Sequence, residues 1–310
     1  MMIPSTALYF ERSADQMSEI QKALSKSQMQ LGSGERVMEP SDDPRASVEI
    51  NRLETSIRRI DSYQETIETL DIRLAAQDTA LSSISDLLIR VKELAVLSRN
   101  DTYNADDRKI FATEVRELTA ELGEIANVQD QSGNFVFGGT RVAEPPYQAD
   151  NSGVYRYVGD RSEVSVPISP TRALLSHEGG QDIFGSVIRE PENPAGTPYR
   201  VGAFDALNDF IEALETNDRD NIERAIDEVS VIIDEVVLTV SDVGSRRNTL
   251  STQQDINEET KLRLQTTLSD VKDVDYAQKV TEMQTQMMLL QAAQSSFSQI
   301  SQLSLWNYLD

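Results

Sequence analysis

The 310-residue chain contains no cysteine, one histidine and one tryptophan. Without cysteine there are no disulfide frameworks, no thiolate metal ligands and no cysteine nucleophile. A lone His177 cannot supply the nitrogen and sulfur ligands of a zinc site. Basic side chains are scarce, 29 against 52 acidic ones, for a net charge of −23. A surface this negative repels phosphate backbones and anionic lipid headgroups, so neither nucleic acid nor a membrane surface is an expected partner. No run approaches the roughly 18 consecutive apolar residues of a membrane span, and Met1-Met2-Ile3-Pro4-Ser5 lacks the basic-then-apolar order of a cleaved secretory signal. Neither membrane anchoring nor such a signal is expected. Hydrophobic residues make up 39%, lean but sufficient for a core in two or three domains.

Proline is concentrated, at positions 4, 40, 44, 145, 146, 167, 170, 191, 194 and 198. The proline-free stretches 45–144 and 199–310, with only Gly123 and Gly244 far from an end, can therefore carry long helices. Between Gly133 and Phe210 lie nine of the 18 aromatic residues and most of the prolines, the composition of a small β-rich insert. Phe135-Val136-Phe137 before Gly138-Gly139 reads as a strand ending in a turn. Val154–Val158 and Glu163–Val166 alternate as strands do, and Gly159-Asp160-Arg161-Ser162 between them has the residues of a hairpin loop.

The outer regions carry helical periodicity. Met17, Ile20, Leu24, Ser27 and Leu31 step by 3, 4, 3 and 4, and only Ser27 departs from apolar character. From Ile50 the series continues through Leu53, Ile57, Ile60, Tyr63, Ile67, Leu70, Leu74, Gln77, Leu81, Ile84, Leu88 and Val91, with successive threes at Ile57, Ile60 and Tyr63 forming one stammer. Near the C-terminus Tyr276, Val280, Met283, Met287, Leu290, Gln294 and Phe297 form another narrow seam. A seam this narrow must be buried by a partner while the rest of the helix stays wet. The simplest solution pairs the two chain ends as antiparallel helices, with apolar positions left for contacts between subunits; the alternative is a closed intramolecular bundle.

Catalytic chemistry finds little support. Ser176-His177-Glu178 in a Gly-rich stretch is consecutive, whereas triad members meet across a fold, so His177 is expected to be an exposed loop residue. Asp218, Asp220 and Glu223 lack the glycine and spacing of a calcium loop, and Asp220 is better placed as a cap or early acidic residue of the helix holding Ile222, Ile226 and Val229. The glycine pairs at 138–139 and 179–180 are not followed by Gly-Lys-Ser, so no phosphate loop is present. Residues 203–260 hold 15 acidic and 4 basic side chains, the composition of a solvated helix face. No catalytic, cofactor-binding or metal-binding residue is expected.

The most informative segment is Leu31-Gly32-Ser33-Gly34-Glu35-Arg36-Val37-Met38-Glu39-Pro40-Ser41-Asp42-Asp43-Pro44. Gly32 and Gly34 release one helix, and Asp43 before Pro44 caps the next. With the seams on both sides, this segment resembles the N-terminal signature of bacterial flagellins and their hook-associated relatives. A second match lies in Leu268–Ala277, where Asp273-Val274-Asp275-Tyr276-Ala277 is similar to the motif opening that family's last helix. Pro40-Ser41 before Asp42-Asp43-Pro44, where flagellins usually carry Ala-Ala, resembles the hook–filament junction members. Ser132–Thr140, Pro145-Pro146-Tyr147 and Tyr157-Val158-Gly159-Asp160 resemble their middle region, and Ser304–Asp310 departs from the short leucine-rich ending common in flagellins.

The resemblance implies a mainly α fold: long coiled-coil and helical-bundle arms built from both chain ends, with a small inserted β-rich domain. Its expected divisions are 1–42 with 270–310 as an inner terminal coiled coil, 43–132 with 199–269 as a helical bundle, and 133–198 as the outer insert. It also implies a structural role without catalysis, in a ring of copies of the chain between the first hook-associated protein and flagellin. Unfolded export through the flagellar type III apparatus, with a chaperone shielding the last helix, is part of that expectation. The expected assembly interface is Met17, Ile20, Leu24 and Leu31 against Val280, Met283, Met287, Leu290 and Phe297. A minor flagellin of the filament is the nearest rival; a cytoplasmic coiled-coil adaptor and an enzyme are the more distant alternatives.

Overall fold

The computed structural model describes residues 3–150, 153–160, 162, 164–177, 179–180, 184–190 and 197–309. The described residues form six helices, α1 (Ile3–Ser33), α2 (Pro44–Ser98), α3 (Ala105–Ile125), α4 (Ala203–Thr216), α5 (Arg219–Lys272) and α6 (Tyr276–Leu309). Between α3 and α4 lie six short strands, β1 (Tyr147–Ala149), β2 (Tyr155–Tyr157), β3 (Val164–Ser169), β4 (Arg172–His177), β5 (Ser186–Arg189) and β6 (Tyr199–Gly202). The long helices and the central β region match the fold expected from the sequence. The chain divides into two compact units, residues 1–59 with 259–310 and residues 60–258.

In the second unit, the seam of α2 is the line of burial. Ile67, Leu70, Leu74, Leu81, Ile84, Leu88 and Val91 are all fully buried. They share one core with Ala112, Val115 and Leu122 of α3, Phe204 to Leu214 of α4, Ile222 to Leu250 of α5, and Val136, Phe137, Tyr147, Ile168, Phe184, Val187 and Val201 of the β region. Ile57, Ile60 and Tyr63, where the spacing shortens, are only partly buried, and the boundary between the units falls among them. Neither proline nor glycine ends α2. The Asn100 carboxamide accepts from the Thr102 amide at 3.0 Å, and Asn104 forms a capping box with Asp107 that starts α3. Arg108, itself buried, donates to the Ser98 carbonyl at 2.8 Å and the Asn217 side chain at 2.5 Å, satisfying the end of α2.

The strands form three separate antiparallel pairs, β1 with β2, β3 with β4 and β5 with β6. Two sequence expectations are corrected here. Phe135-Val136-Phe137 is no strand: Phe135 makes one bridge to Gln129, and the chain then turns. Val136 and Phe137 are both buried, so alternation is lost, and the buried Arg73 guanidinium donates to the Val136 carbonyl at 3.0 Å. Nor does Gly159–Ser162 close a hairpin, since β2 and β3 have different partners. The loop is tied elsewhere: the Asp160 carboxylate accepts from the Thr140 amide at 2.9 Å and from the Thr140 hydroxyl. These bonds hold its carboxyl below the usual range. A Cβ on Gly139, whose φ is +62°, would sit 2.2 Å from Asp160 Oδ1.

His177 is also corrected: its backbone ends β4, opposite Val164, rather than lying in a loop. Asp218 caps α5, accepting from the Asn221 amide at 3.3 Å, and Asp220 is the early acidic residue. Among the described residues no cluster of acidic residues and histidine could hold a metal ion.

A charged pair is also buried in this unit. Arg189 of β5 donates in bidentate fashion to Glu228 of α5, at 2.6 and 2.8 Å, and also to Asp209 of α4. Arg189 is 9% exposed and Glu228 5%, and the paired carboxylates hold the guanidinium pKa above its usual value. Breaking such a pair strands a buried charge, whereas replacing both members with apolar residues is near neutral. Arg189→Met is expected to lower unfolding free energy by about 3 kcal/mol, and Arg189→Met/Glu228→Met to recover most of it. Guanidinium titrations decide this; a single variant as stable as wild type overturns the assignment.

Candidate assembly site at the paired chain ends

The chain-end unit is built around two turns that face each other. After Gln30 the chain leaves α1 through Gly34, whose φ of +78° lies in the left-handed region where glycine carries no Cβ penalty. A Cβ there would lie 3.0 Å from the Tyr276 hydroxyl. Gly34 and Arg36 then pair with the turn between α5 and α6: the Arg36 amide donates to the Lys272 carbonyl at 2.7 Å, and the Val274 amide donates to the Gly34 carbonyl at 2.8 Å. Glu35 and Asp273 sit opposite each other in this antiparallel bridge. Beneath it Val37, Ala46 and Ile50 are buried against Leu268 and Val271.

Side chains lock the bridge. Arg36 donates to the Val271 carbonyl at 2.9 Å and to Asp43 at 3.2 Å. Asp43 also caps α2 through the Ala46 amide at 3.0 Å, with Pro44 as the first helical residue. Asp42 gathers Lys26 at 2.5 Å and the Met38 and Glu39 amides at 3.2 and 3.3 Å. Ser41 donates to Glu39, and Pro40 precedes it in the turn. On the other strand Ser269 donates to Asp273, and Asp275 caps α6 by accepting from the Gln278 amide at 3.1 Å. Lys272 bridges Glu35 at 2.9 Å and Glu54 at 3.5 Å. The residues that resembled a family signature, Gly34, Pro40, Ser41, Asp42, Asp43, Pro44, Asp273, Asp275 and Tyr276, thus converge on one joint.

From this joint α1 and α6 run antiparallel. The Ser27 hydroxyl donates to Gln286 at 3.0 Å, and the Phe10 and Phe297 rings meet edge to face with centroids 5.3 Å apart. On α1 Met17, Ile20, Leu24 and Leu31 are partly buried and Ser27 and Gln30 fully so. On α6 the partly buried line is Lys279, Met283, Gln286, Leu290, Ala293, Phe297 and Ile300. It shares Met283, Leu290 and Phe297 with the expected seam but turns Tyr276, Val280, Met287 and Gln294 outward. Sequence periodicity missed Gln286 because the step of four from Met283 leads to the apolar Met287, whereas the partly buried line steps by three to Gln286. The clue lay on α1, where a buried Ser27 requires a polar partner. Tyr276, Val280, Met287, Met288 and Leu289 are exposed apolar residues of α6, from 38% at Val280 to 64% at Met288, and the first three share one side of the helix.

Helices from both chain ends, paired antiparallel and joined by turns that cross-link them, define a class of mainly helical proteins whose two ends fold together. Comparison with known proteins narrows this class. The model of the bacterial flagellin N-terminal helical region matches residues 8–141, and that of the bacterial flagellin C-terminal helical region matches residues 222–309. The chain is similar to flagellar hook-associated protein 3 of Salmonella typhimurium, 25% identical over 97% of this chain and 98% of that protein. Its likeness to the protein of the same name from Escherichia coli is 23% over the same shares. Flagellar hook-associated protein 3 of Legionella pneumophila shares the fold with a TM-score of 0.64 and 17% identity, over 72% of this chain and 98% of that one. The chain belongs to the bacterial flagellin family, a family of structural flagellar proteins.

Gly34→Ala is expected to destabilise the chain-end unit by about 1 kcal/mol, the cost of a left-handed non-glycine residue, because the Tyr276 hydroxyl can swing aside. Gly32→Ala, with open space around it and a helical backbone, is expected to be neutral or mildly stabilising in denaturant titrations of the same unit.

The bond from Lys26 holds Asp42 below its ordinary 3.8, and the Ala46 amide, then Arg36, do the same for Asp43. Their contribution is present above pH 3.8 and is lost as pH falls through the lowered folded values. Glu35 chiefly raises Lys272 above 10.5, so its contribution is present below that pH and is lost as pH climbs through the raised value. Hydrogen exchange of the Arg36 and Val274 amides is therefore expected to be slowest between these limits once corrected for intrinsic rates. A flat corrected profile counts against the charge pairing.

Proposed function

We propose that this chain is a structural subunit of the bacterial flagellum that forms the junction between hook and filament and assembles through its terminal helices. The observation that carries the reading is the paired chain ends. Both family signatures meet in one joint, and the α6 helix springing from it leaves Tyr276, Val280, Met287, Met288 and Leu289 uncovered. A two-helix seam that is only partly buried gains stability when neighbours cover it, so ordering and assembly become one step. The neighbours are copies of this chain in a ring, the first hook-associated protein on one side and flagellin on the other. Met17, Ile20, Leu24, Leu31, Val280, Met283, Met287, Leu290 and Phe297 contribute to the interface, some across the α1–α6 seam and the outward ones to adjacent subunits.

Before assembly the chain is exported through the flagellar type III apparatus with a chaperone on its C-terminal helix. A net charge of −23 keeps the free subunit soluble meanwhile. The working division is a terminal coiled coil (1–42 with 270–310), a helical bundle (43–132 with 199–269) and an outer insert (133–198). Pro40-Ser41 before Asp42-Asp43-Pro44 favours the junction role over that of a filament flagellin, as does the near end-to-end likeness to hook-associated proteins.

Immunogold microscopy of intact flagella with an antibody to residues 133–198 tests the reading. A single cluster of gold at the hook–filament boundary is expected; label along the whole filament makes the chain a flagellin, and unlabelled flagella remove it from the organelle. Leu290→Asp places a charge on the seam and is expected to abolish filament attachment while residues 60–258 stay folded. Normal swimming by that variant would falsify the role of the seam.

A further inference from the structure

The eight methionines fall at positions 1, 2, 17, 29, 38, 283, 287 and 288, so residues 60–258 contain none. Every methionine belongs to the unit formed by the chain ends. Met1 and Met2 lie outside the described residues. The remaining six are graded in access: Met288, Met29, Met287 and Met38 are exposed, while Met17 and Met283 are partly buried on the lines where α1 and α6 meet. Met17 shares its line with Ile20 and Leu24, and Met283 shares its line with Leu290 and Phe297. Their thioethers thus have enough solvent access to react and enough burial to matter.

We propose that the chain-end unit is a methionine-oxidation site at which conversion of Met17 and Met283 to sulfoxides uncouples α1 from α6 and leaves the methionine-free unit untouched. The reaction needs a two-electron oxidant of the peroxide class. A sulfur lone pair attacks one peroxide oxygen, the O–O bond breaks, the oxygen now on sulfur gives up its proton to leave a sulfoxide, and the other oxygen takes up that proton and leaves as water. The product replaces a pliable apolar group with a polar S=O acceptor. The acceptor falls on the lines that α1 and α6 turn toward each other, one turn from Ile20 on α1 and one turn from Gln286 on α6, and must lose water for the helices to close. The polar layer of Ser27, Gln30 and Gln286 offers no spare donor from Ser27, whose hydroxyl is already bonded to Gln286. The effect is reversible, because sulfoxide reductases return the thioether. The inference concerns the free chain and stands independently of the junction reading.

The full-length chain is treated with hydrogen peroxide, sulfoxides are mapped by peptide mass spectrometry, and amide exchange is followed in α1, α6 and residues 60–258. The expected result is sulfoxide at Met17 and Met283 together with exchange in α1 and α6 faster by about tenfold or more, no change in residues 60–258, and recovery with methionine sulfoxide reductases. Met17→Leu/Met283→Leu, a volume-conserving pair, is expected to keep its protection under the same peroxide although the exposed methionines still oxidise. Three results overturn the proposal: unchanged exchange despite sulfoxide at both positions, resistance of both while the exposed four react, or equal loss of protection in the double leucine variant.

Discussion

The antiparallel bridge of Glu35 with Asp273 is the constraint on which the chain-end unit depends. Two backbone hydrogen bonds, from Arg36 to Lys272 and from Val274 to Gly34, fix where two helices end and two begin. An isolated two-stranded contact of this length is weak in water. Here it is held from both sides, by the apolar contact of Val37, Ala46 and Ile50 with Leu268 and Val271, and by Arg36, which reaches both the Val271 carbonyl and the Asp43 carboxylate. Because Arg36 holds both the Val271 carbonyl across the bridge and the Asp43 that caps α2, moving the bridge by one residue would cost the bond to Val271 or strain the one to Asp43. The bridge therefore sets a register that neither helix pair could choose alone.

That register matters because the α1–α6 seam is chemically mixed. An all-apolar seam could slide by a heptad at little cost, whereas a buried polar layer matches in one register only. Ser27 with Gln286 forms such a layer, and buried Gln30 donates back to the Arg36 carbonyl at 2.6 Å, tying the layer to the bridge. The Gln30 oxygen has no hydrogen-bond partner among the described residues. That orphan acceptor weakens the pair while the polar layer specifies it. Specificity without full stability suits helices whose outer surface remains to be covered.

Much of this is legible in the sequence. The threes and fours from Ile67 to Val91 predicted the buried line of α2 residue by residue, because an apolar seam and a helical period leave one solution. Gly34 and Asp43-Pro44 announced the first turn, since each residue type answers a local backbone need, while Asp275 was marked only by the family resemblance of its motif. What stayed hidden was nonlocal. No local rule says that Arg36 finds the Val271 carbonyl more than 200 residues away, or that Arg189 finds Glu228. The central region misled for the same reason. Gly159–Ser162 has the residues of a hairpin, but Thr140 competes for Asp160, and Phe135–Phe137 has strand propensity, but the core takes both Val136 and Phe137.

The two units solve stability differently, and the difference bears on what each can do. Residues 60–258 bury a continuous apolar core and even a bidentate Arg189–Glu228 pair, so their stability rests on packing within the unit. The chain ends rely on exposed carboxylates, one short bridge and a half-covered seam, all of which respond to pH, to solvent and to neighbours. A subunit that must remain soluble while free and then become rigid in an assembly needs this asymmetry. If the α1–α6 seam were buried as completely as the α2 line from Ile67 to Val91, it would gain nothing from neighbours; if the whole chain were as open as that seam, nothing would hold a defined shape for neighbours to recognise.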